Sequence, residues 1–327
     1  MKLVQKAIYA VAGLAIAGAS LPAAAAYPER PVKLIVPWSA GGFADLLARL
    51  VAEKMGPSLG QSVVVENRAG ANGMIGTESV ARATPDGYTI MLTGVDSHVI
   101  NPALYGKIQY NVEKDFAPIG MIVNLPMILS SSTKSPNKVE SFKELLEAGK
   151  TRKANLTYGS WGEGSSGQLA MEMINNPAKL NMVHVPYKGA SGAINDAVAG
   201  HIDLTFVTWL SGEQHLKVGN LKALAVTSNK RLATLPDVPT VSEAGLPGYE
   251  ATMFYGLAAP QGTPKDVIDK LNAALQDVLK DEAFVKRVSL SGCAVIGGTA
   301  DEAKAYVDKD KQAWHNIIKS LGLQGKF

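Results

Sequence analysis

Cysteine is nearly absent from this sequence, and neither sign of charge is in large excess. Cys293 is the only cysteine among 327 residues, so no disulfide can form within the chain and stability must come from packing. Lysine and arginine number 32 against 29 acidic residues, which gives a net charge of +3. This balance gives no reason to expect nucleic acid or an anionic membrane surface as a partner. A chain of this length can bury a large core, and two domains are expected.

Long apolar runs are also lacking, except near the N-terminus. Lys2 and Lys6 precede an apolar stretch over residues 7–19, and small residues follow up to Ala26. This order is typical of a secretory signal peptide. A membrane anchor is the alternative, but the stretch is shorter than the roughly 20 residues of a spanning helix. We predict that residues 1–26 are a signal peptide cleaved near Ala26, and that export lowers the net charge from +3 to +1 by removing two lysines and no acid.

The rest of the chain alternates short apolar runs with helical patterns. Val32–Val36 is rich in β-branched residues and bounded by prolines, which indicates a buried strand. Past Gly248 the pattern is helical up to the C-terminus. The alternation predicts an α/β fold with parallel sheets and right-handed crossovers. Strands are predicted at 32–36, 63–66, 88–93, 119–123, 127–129, 155–158, 182–185, 202–207 and 221–226.

Two adjacent apolar runs, 119–123 and 127–129, are expected to carry the chain out of a first lobe. The simplest arrangement returns the C-terminal helices to that lobe. We therefore predict that residues 27–126 and 248–327 form lobe 1 and that residues 127–247 form lobe 2. Two crossings between the lobes make a hinge with a cleft, and ligands of open α/β sheets bind outside the carboxyl ends of the strands. The cleft is the predicted binding site.

Two glycine-rich loops join a predicted strand to a predicted helix, one loop in each lobe. The first covers residues 37–45 and the second covers residues 159–167. Glycine lets the backbone approach a ligand closely, and a helix start presents unpaired N–H groups at the positive end of its dipole. Ser160, Ser165 and Ser166 add hydroxyl donors that suit carboxylate oxygens. Two such loops could hold one anion between them.

Other chemistries find less support in these residues. Gly162, Gly164 and Gly167 match the G-x-G-x-x-G of dinucleotide sites, but the fingerprint needs an acid about 20 residues further on. The strand ending at 185–187 has no such acid, and no G-x-S-x-G elbow or metal-binding histidine spacing occurs. Asp45 either caps the first helix or contacts the ligand. The cap is favoured, because an acid facing a bound carboxylate would repel it.

A series of short motifs runs through essentially the whole mature chain in the order of a known family. The motifs are Tyr27-Pro28-Glu29-Arg30-Pro31, the loop from Gly41 to Asp45, the run from Val65 to Ala71, Pro85-Asp86-Gly87-Tyr88, Asn101-Pro102-Ala103-Leu104-Tyr105, Val185-Pro186-Tyr187-Lys188-Gly189 and Leu235-Pro236-Asp237-Val238-Pro239-Thr240. With them the sequence resembles the substrate-binding proteins of tripartite tricarboxylate transporters, the Bug (Bordetella uptake gene) family.

The resemblance implies a type II periplasmic binding protein fold that closes on its ligand like a Venus flytrap. It also implies a periplasmic location and a large and a small membrane subunit as partners. One carboxylate of the ligand would be held by the two loops, partly through ordered waters. No enzymatic activity, cofactor, metal or nucleic acid is expected, and the protein is expected to be a monomer.

The chain departs from the family pattern at positions that bear on the ligand. Relatives usually carry alanine and then Ser-Ser-Ser-His in the second loop, where this chain has Trp161 and the run 165–168. Relatives often have an aspartate after the strand phenylalanine, as expected for a ligand with an ammonium group. Here Phe206 is followed by Val207 and Thr208, so an amino-acid ligand is not expected.

The aromatic residues of the loops allow two interpretations. They pack the lobes together, or they line a slot for a flat or apolar ligand. The second interpretation favours an aromatic dicarboxylate such as terephthalate, with an aliphatic C4–C6 di- or tricarboxylate as the alternative. A carboxylate-sensing module would share these features, whereas a secreted hydrolase is much less supported. The candidate ligand-binding residues are Trp38, Ala40, Gly41, Gly42, Phe43, Ala44, Asp45, Thr93, Ser97, His98, Ser160, Trp161, Gly164, Ser165, Val207, Thr208 and Trp209.

Overall fold

The computed structural model describes residues 27–151 and 155–325. The predicted signal peptide, residues 1–26, lies outside the described residues. None of the helices in the described part is long and apolar enough to cross a membrane. The strands are β1 (Val32–Val36), β2 (Val63–Asn67), β3 (Thr89–Gly94), β4 (Phe116–Pro126), β5 (Ile128–Ser132), β6 (Thr157–Ser160), β7 (Val183–Pro186), β8 (Leu204–Val207), β9 (Leu221–Val226), β10 (Thr252–Pro260) and β11 (Ala294–Val295).

Helices alternate with these strands through most of the chain. A 3₁₀ turn at Ala71–Gly73 and a π-helical turn at Asp96–Ile100 accompany them. The α-helices are α1 (Phe43–Leu59), α2 (Met74–Ala81), α3 (Asn101–Leu104), α4 (Val112–Asp115), α5 (Phe142–Thr151), α6 (Ser166–Ala178), α7 (Ala190–Ala199), α8 (Trp209–Lys217), α9 (Lys265–Lys280), α10 (Glu282–Ser289) and α11 (Ala300–Ser320).

The first sheet has six strands in the order β11-β4-β10-β3-β1-β2. Strand β1 runs parallel to β2 and β3, whereas β10 is antiparallel to both β3 and β4. Helices α1 and α2 connect the parallel strands, as βαβ units require. Helix α9 packs against α1 and β4, and α11 packs against β4. The helices that follow β10 therefore cover the first sheet.

The second sheet has five strands in the order β7-β6-β8-β5-β9. Strand β6 runs parallel to β7 and β8, whereas β5 is antiparallel to β8 and β9. Helices α6 and α7 make the crossovers from β6 to β7 and from β7 to β8. The two sheets confirm the predicted α/β fold, with each sheet mixed.

Strand β10 contradicts the prediction that the chain is helical after Gly248 and that the sheets are parallel. It lies between β3 and β4 and is antiparallel to both. Eight of its nine residues are buried. A strand buried on both faces shows no polar–apolar alternation, and the glycine and two alanines in its second half have weak strand propensity. The local pattern that reveals most strands is therefore missing here.

The chain passes between the two sheets twice, and the two passages are hydrogen-bonded to each other. Met127, between β4 and β5, donates its N–H to Thr227 Oγ1 at 2.8 Å. The Thr227 N–H donates to the Met127 carbonyl at 2.9 Å, and the Ala251 N–H donates to the Thr227 carbonyl at 3.0 Å. Thr227 is fully buried. These bonds fix the place where one sheet gives way to the other.

Replacing Thr227 with valine should lower the free energy of unfolding by about 1–3 kcal/mol, because the buried Met127 N–H loses its acceptor while the side-chain volume barely changes. Urea denaturation measures this difference. Thr84→Val, at an exposed position, is the matched control and should change stability by less than about 0.5 kcal/mol. Equal losses in the two variants would contradict a role for the Thr227 hydroxyl.

Candidate functional site between the two sheets

A cavity lies between the two sheets and receives residues from both. Counted with the solvent space at its mouth, it measures about 480 Å³. The elements of the first sheet contribute Trp38, Ser39, Gly42, Phe43, Ala44, Met253 and Tyr255. The crossing and the elements of the second sheet contribute Met127, Trp161, Ala190, Phe206, Val207, Thr208 and Ser211.

Aromatic side chains form much of the wall of this cavity. Five of its lining residues are aromatic, and none carries a charge. The Tyr255 ring lies 5.8 Å from Trp38 in an edge-to-face arrangement and 5.6 Å from Phe43. The Trp38 carbonyl accepts a hydrogen bond from Asn67 Nδ2 at 3.0 Å, which ties the first loop to β2. The first-sheet wall is thus a rigid aromatic cluster of the kind that suits a flat or apolar ligand body.

Two helices begin at the cavity with backbone N–H groups that no side chain caps. Helix α1 starts after Gly42 and α7 starts after Gly189, and neither N-cap residue accepts a side-chain hydrogen bond from the helix. Gly42 and Ala190, at these two starts, both line the cavity. Unpaired N–H groups at the positive end of a helix dipole bind anions without a charged side chain. The cavity therefore has the electrostatic character of an anion site even though no described lysine or arginine lines it.

Helix α8 also starts at the cavity, but its first N–H groups are already satisfied. Thr208 and Ser211 form a reciprocal capping box, in which each side chain accepts from the other residue's backbone. Both hydroxyls line the cavity. A hydroxyl in a capping box still has hydrogen-bonding capacity left, so these two groups can also contact a polar atom of a ligand.

Asp45 is not the helix N-cap that was predicted, and it lies outside the cavity lining. The N-cap of α1 is Gly42, and Asp45 lies in the first turn with its Oδ2 accepting from the Gly41 N–H at 3.0 Å. Arg49 Nη2 pairs with Asp45 Oδ1 at 2.9 Å. Burial disfavours the charged form of Asp45, but hydrogen bonds from Arg49, Gly41 and Asn67 together hold its pKa below the ordinary value. The carboxylate shapes the first loop and is not among the residues that line the cavity.

The first loop touches the start of α7 across the cleft. Ser39 Oγ and Ser191 Oγ are 3.1 Å apart. An added Cβ on Gly189 would overlap Ser39 Oγ and lie 2.9 Å from Ser39 Cβ. Ala40 and Gly41, at the tip of the same loop, are exposed and do not line the cavity. Glycine at position 189 is what lets the two loops meet.

The second loop contributes only its tryptophan to the cavity. Ser160 Oγ is 2.7 Å from His184 Nε2, and Ser165 Oγ donates to Ser160 Oγ at 3.1 Å. The Gly164 N–H donates to Gln168 Oε1 at 2.6 Å. Ser160, Gly164 and Ser165 were predicted to contact the ligand, but their polar atoms bond within the loop, to its helix and to His184 of β7. Only Trp161 of this loop lines the cavity.

Thr93, Ser97 and His98 also lie away from the cavity. Thr93 and His98 line a separate cavity, which is bounded by β4, β10 and α11. Successive residues of a strand point to opposite faces, and the Gly94 side of β3 faces Trp38 and Tyr255, so Thr93 faces away from the cleft. Ser97 Oγ is fully occupied by Gly94 and His98 Nδ1.

Two of the predicted ligand residues, His98 and Trp209, are buried outside the cavity lining. Burial lowers the pKa of His98 to about 4, so its imidazole is neutral. Trp209 is packed in a cluster with Val207 and Ile128 and is not itself among the residues that line the cavity. The Lys217 ammonium lies 5.7 Å from the Trp209 ring. Trp209 thus follows the packing interpretation, whereas Trp38, Phe43 and Trp161 line the cavity.

Comparisons with known proteins agree with this geometry. A family model described as "Tripartite tricarboxylate transporter family receptor" matches residues 47–323. The chain belongs to this receptor family. The relative BugT from Bordetella pertussis is 33% identical over 325 residues, which cover 98% of each chain. The predicted family is therefore confirmed.

Solved structures of similar proteins share the whole architecture of this receptor. The periplasmic binding protein BugD has a TM-score of 0.85 and 40% identity over 91% of this chain and 99% of its own. Rpa4515 of R. palustris, solved with adipate, has a TM-score of 0.86 and 32% identity over 90% and 98%. MatC of Rhodopseudomonas palustris, solved with malate, has a TM-score of 0.82 and 30% identity over 89% and 100%. The receptor therefore has the two-lobed fold of periplasmic binding proteins.

Several lining residues of the receptor were not predicted from its sequence. Ala190 follows a third glycine-led strand-to-helix turn, at Gly189, and that signal was available in the sequence. Tyr255 lies on β10, whose existence the pattern did not reveal. The lining residues absent from the prediction are Ser39, Met127, Ala190, Phe206, Ser211, Met253 and Tyr255.

Replacing Gly189 with alanine should keep the two lobes from meeting while leaving each lobe folded. Rotation of the Ser39 hydroxyl cannot relieve the contact with Ser39 Cβ, and the φ of 163° at Gly189 is extended backbone that alanine adopts. We expect a larger radius of gyration by small-angle X-ray scattering with little change in melting temperature. Gly106→Ala is the control, because no described heavy atom lies within 4 Å of its added Cβ. The same radius for both variants would argue against this interface.

Proposed function

We propose that this receptor captures an organic carboxylate outside the cytoplasmic membrane and delivers it to the large and small membrane subunits of a tripartite transporter. Residues 1–26 would direct its export and then be removed. The observation that carries the proposal is the cavity at which α1 and α7 begin uncapped, from opposite lobes. Family membership supports the transport role, and relatives solved with adipate and malate support a carboxylate as ligand.

The ligand carboxylate would bind at the starts of α1 and α7. Backbone N–H groups from Gly42 to Ala44 come from one lobe, and those at Ala190 come from the other. An anion held at both starts would favour the closed arrangement, since it interacts with both dipoles only when the lobes meet. Capture would therefore be coupled to closure.

The favoured ligand is an aromatic dicarboxylate such as terephthalate. Trp38 and Phe43 on one side and Trp161 and Phe206 on the other would enclose a flat ring. The hydroxyls of the Thr208 capping box would contact the far carboxylate. No described cation lines the cavity, so the second carboxylate would be held by neutral donors as well.

An aliphatic C4–C6 di- or tricarboxylate is the second candidate. The specific observation in its favour is that the two relatives solved with ligands hold adipate and malate. A flexible aliphatic chain loses more conformational freedom on binding than a rigid ring does. If the carboxylate contacts are equal, a rigid aromatic ring would therefore bind more tightly than a flexible aliphatic chain.

A thermal-shift screen would test the ligand class directly, because a ligand that binds only the folded protein raises its melting temperature. We expect terephthalate to raise the melting temperature more than adipate or malate does, and all three to exceed glutamate and aspartate. A ligand at 100 times its Kd adds about 2.7 kcal/mol to stability. A larger shift with glutamate than with any dicarboxylate lacking an amine would contradict the proposed pocket chemistry.

Trp161→Ala should weaken terephthalate binding about tenfold or more, which corresponds to roughly 1.4 kcal/mol, because the variant removes one aromatic wall. Isothermal titration calorimetry measures the change, and circular dichroism checks that the fold is intact. Trp161→Phe, which keeps an aromatic face, is the matched control and should lose less affinity. An unchanged Kd in Trp161→Ala would assign this residue to packing alone.

A further inference from the structure

Asp96 is a buried carboxylate of the first lobe that accepts hydrogen bonds from the loop and the helix start of the second lobe. It follows β3 in the π-helical turn and is 2% exposed. Its Oδ1 accepts from the Ser166 N–H, and its Oδ2 accepts from Ser166 Oγ at 3.0 Å and from Trp161 Nε1 at 3.1 Å. Three hydrogen bonds thus join the lobes through one side chain.

Further contacts surround this carboxylate and dock the second loop on the first lobe. Tyr105 donates its hydroxyl to the Glu163 carbonyl at 2.8 Å. Gly162 lies against Asn72, so that an added Cβ would be 3.4 Å from Asn72 Cα. Asn72 is itself held by Asn101 through two hydrogen bonds. The Asp96 bonds are therefore the centre of a built contact between the lobes.

Ser166 is the first residue of α6, so the Asp96 charge lies at the positive end of that helix dipole. Ser165 already accepts the Gln168 N–H as the N-cap. The anion at the start of α6 is therefore a side chain of the same protein, Asp96. A second carboxylate at the same place would meet the charge of Asp96 and lose the N–H groups that Asp96 occupies.

We propose that Asp96 is a positioning residue that latches the two lobes together, sets Trp161 as a wall of the cavity and reserves the α6 helix start for itself. The starts of α1 and α7 then remain available to bind the ligand carboxylate. The part of this inference that concerns the ligand rests on the proposed function. The part that concerns the meeting of the lobes does not, because it rests on contacts between residues of the protein alone.

The latch should respond to pH, because no lysine or arginine among its described contacts balances the charge of Asp96. The titratable groups that face it are Tyr105, Tyr110 and Tyr255, whose pKa values burial raises, and the neutral His98 lies two residues further along the same turn. Burial raises the pKa of Asp96 to about 6, against the opposing effect of its hydrogen bonds. In separated lobes the carboxyl would titrate near its ordinary value of 3.8.

The sign of the pH effect follows from these two values. The closed form binds the proton more tightly, so the latch contributes most below pH 4 and this contribution is lost as the pH rises through 6. Between pH 7.5 and pH 5 the ratio of closed to open protein should rise about tenfold. Above pH 7 the ratio should no longer change.

Three variants test the latch. Asp96→Ala removes all three hydrogen bonds, and Asp96→Asn keeps the shape but cannot titrate. Asp115→Asn is the control, since Asp115 accepts from Asn111 within the first lobe. We expect a larger radius of gyration for ligand-free Asp96→Ala at pH 5 than for the wild type or the control, and terephthalate and adipate binding at least tenfold weaker. The wild-type affinity relative to Asp96→Asn should rise about tenfold from pH 7.5 to pH 5.

The outcomes separate this inference from the proposed function. An unchanged radius in ligand-free Asp96→Ala would overturn the latch, whatever the ligand is. A pH-independent affinity ratio between wild type and Asp96→Asn would overturn it too, since a purely structural side chain would give that result. If neither probe binds the wild-type protein, the proposed ligand class fails, and the scattering comparison still decides whether Asp96 joins the lobes.

Discussion

The binding cleft depends on the hydrogen-bonded pair of chain crossings at Met127 and Thr227. The chain leaves the first sheet at Met127 and leaves the second sheet at Thr227. The Thr227 hydroxyl accepts a hydrogen bond from the Met127 N–H and so joins the two crossings. Because the crossings are paired and buried, the lobes can rotate about one short region only. The loops at the carboxyl ends of β1, β6 and β7 are thereby brought over the same space. Every contact across the cleft follows from this constraint.

Under the proposed function, the cavity would attract an anion without a charged side chain. A cation buried there would have to lose its hydration, and so would any acid that balanced it. Helix starts avoid that cost, because the backbone N–H groups of α1 and α7 are fixed before a ligand arrives. Asp45, the acid nearest to the α1 start, is neutralised by Arg49 and by the Gly41 N–H. The first lobe therefore lines the cavity with dipoles and aromatic rings, and not with charged side chains.

Local patterns in the sequence predicted the elements whose own residues carry a strong signal, such as β-branched composition or a glycine-rich turn. The strand at Val32–Val36 and the glycine-rich loop before α1 both appear as expected. Strand β10 was missed because its glycine and alanines weaken the strand signal, whereas β1, which is also almost fully buried, keeps a β-branched composition. Thr93 and Trp209 were placed at the cleft from their positions in the sequence. Which face a strand residue occupies depends on register with its neighbours, and that is a long-range property.

In the second loop, the sequence correctly predicted a helix start that binds a carboxylate, but the carboxylate comes from the protein itself. Its glycines and serines predicted a place where a carboxylate meets the start of a helix, and the Ser166 N–H and hydroxyl do contact a carboxylate. That carboxylate belongs to Asp96, which is 70 residues away in the sequence. Local sequence encodes the donors of such a site, but only the tertiary fold decides whether the anion they hold is a ligand or a side chain of the same protein. Where the fold supplies the anion, the loop joins two lobes, and under the proposed function the ligand would bind at the helix starts that remain.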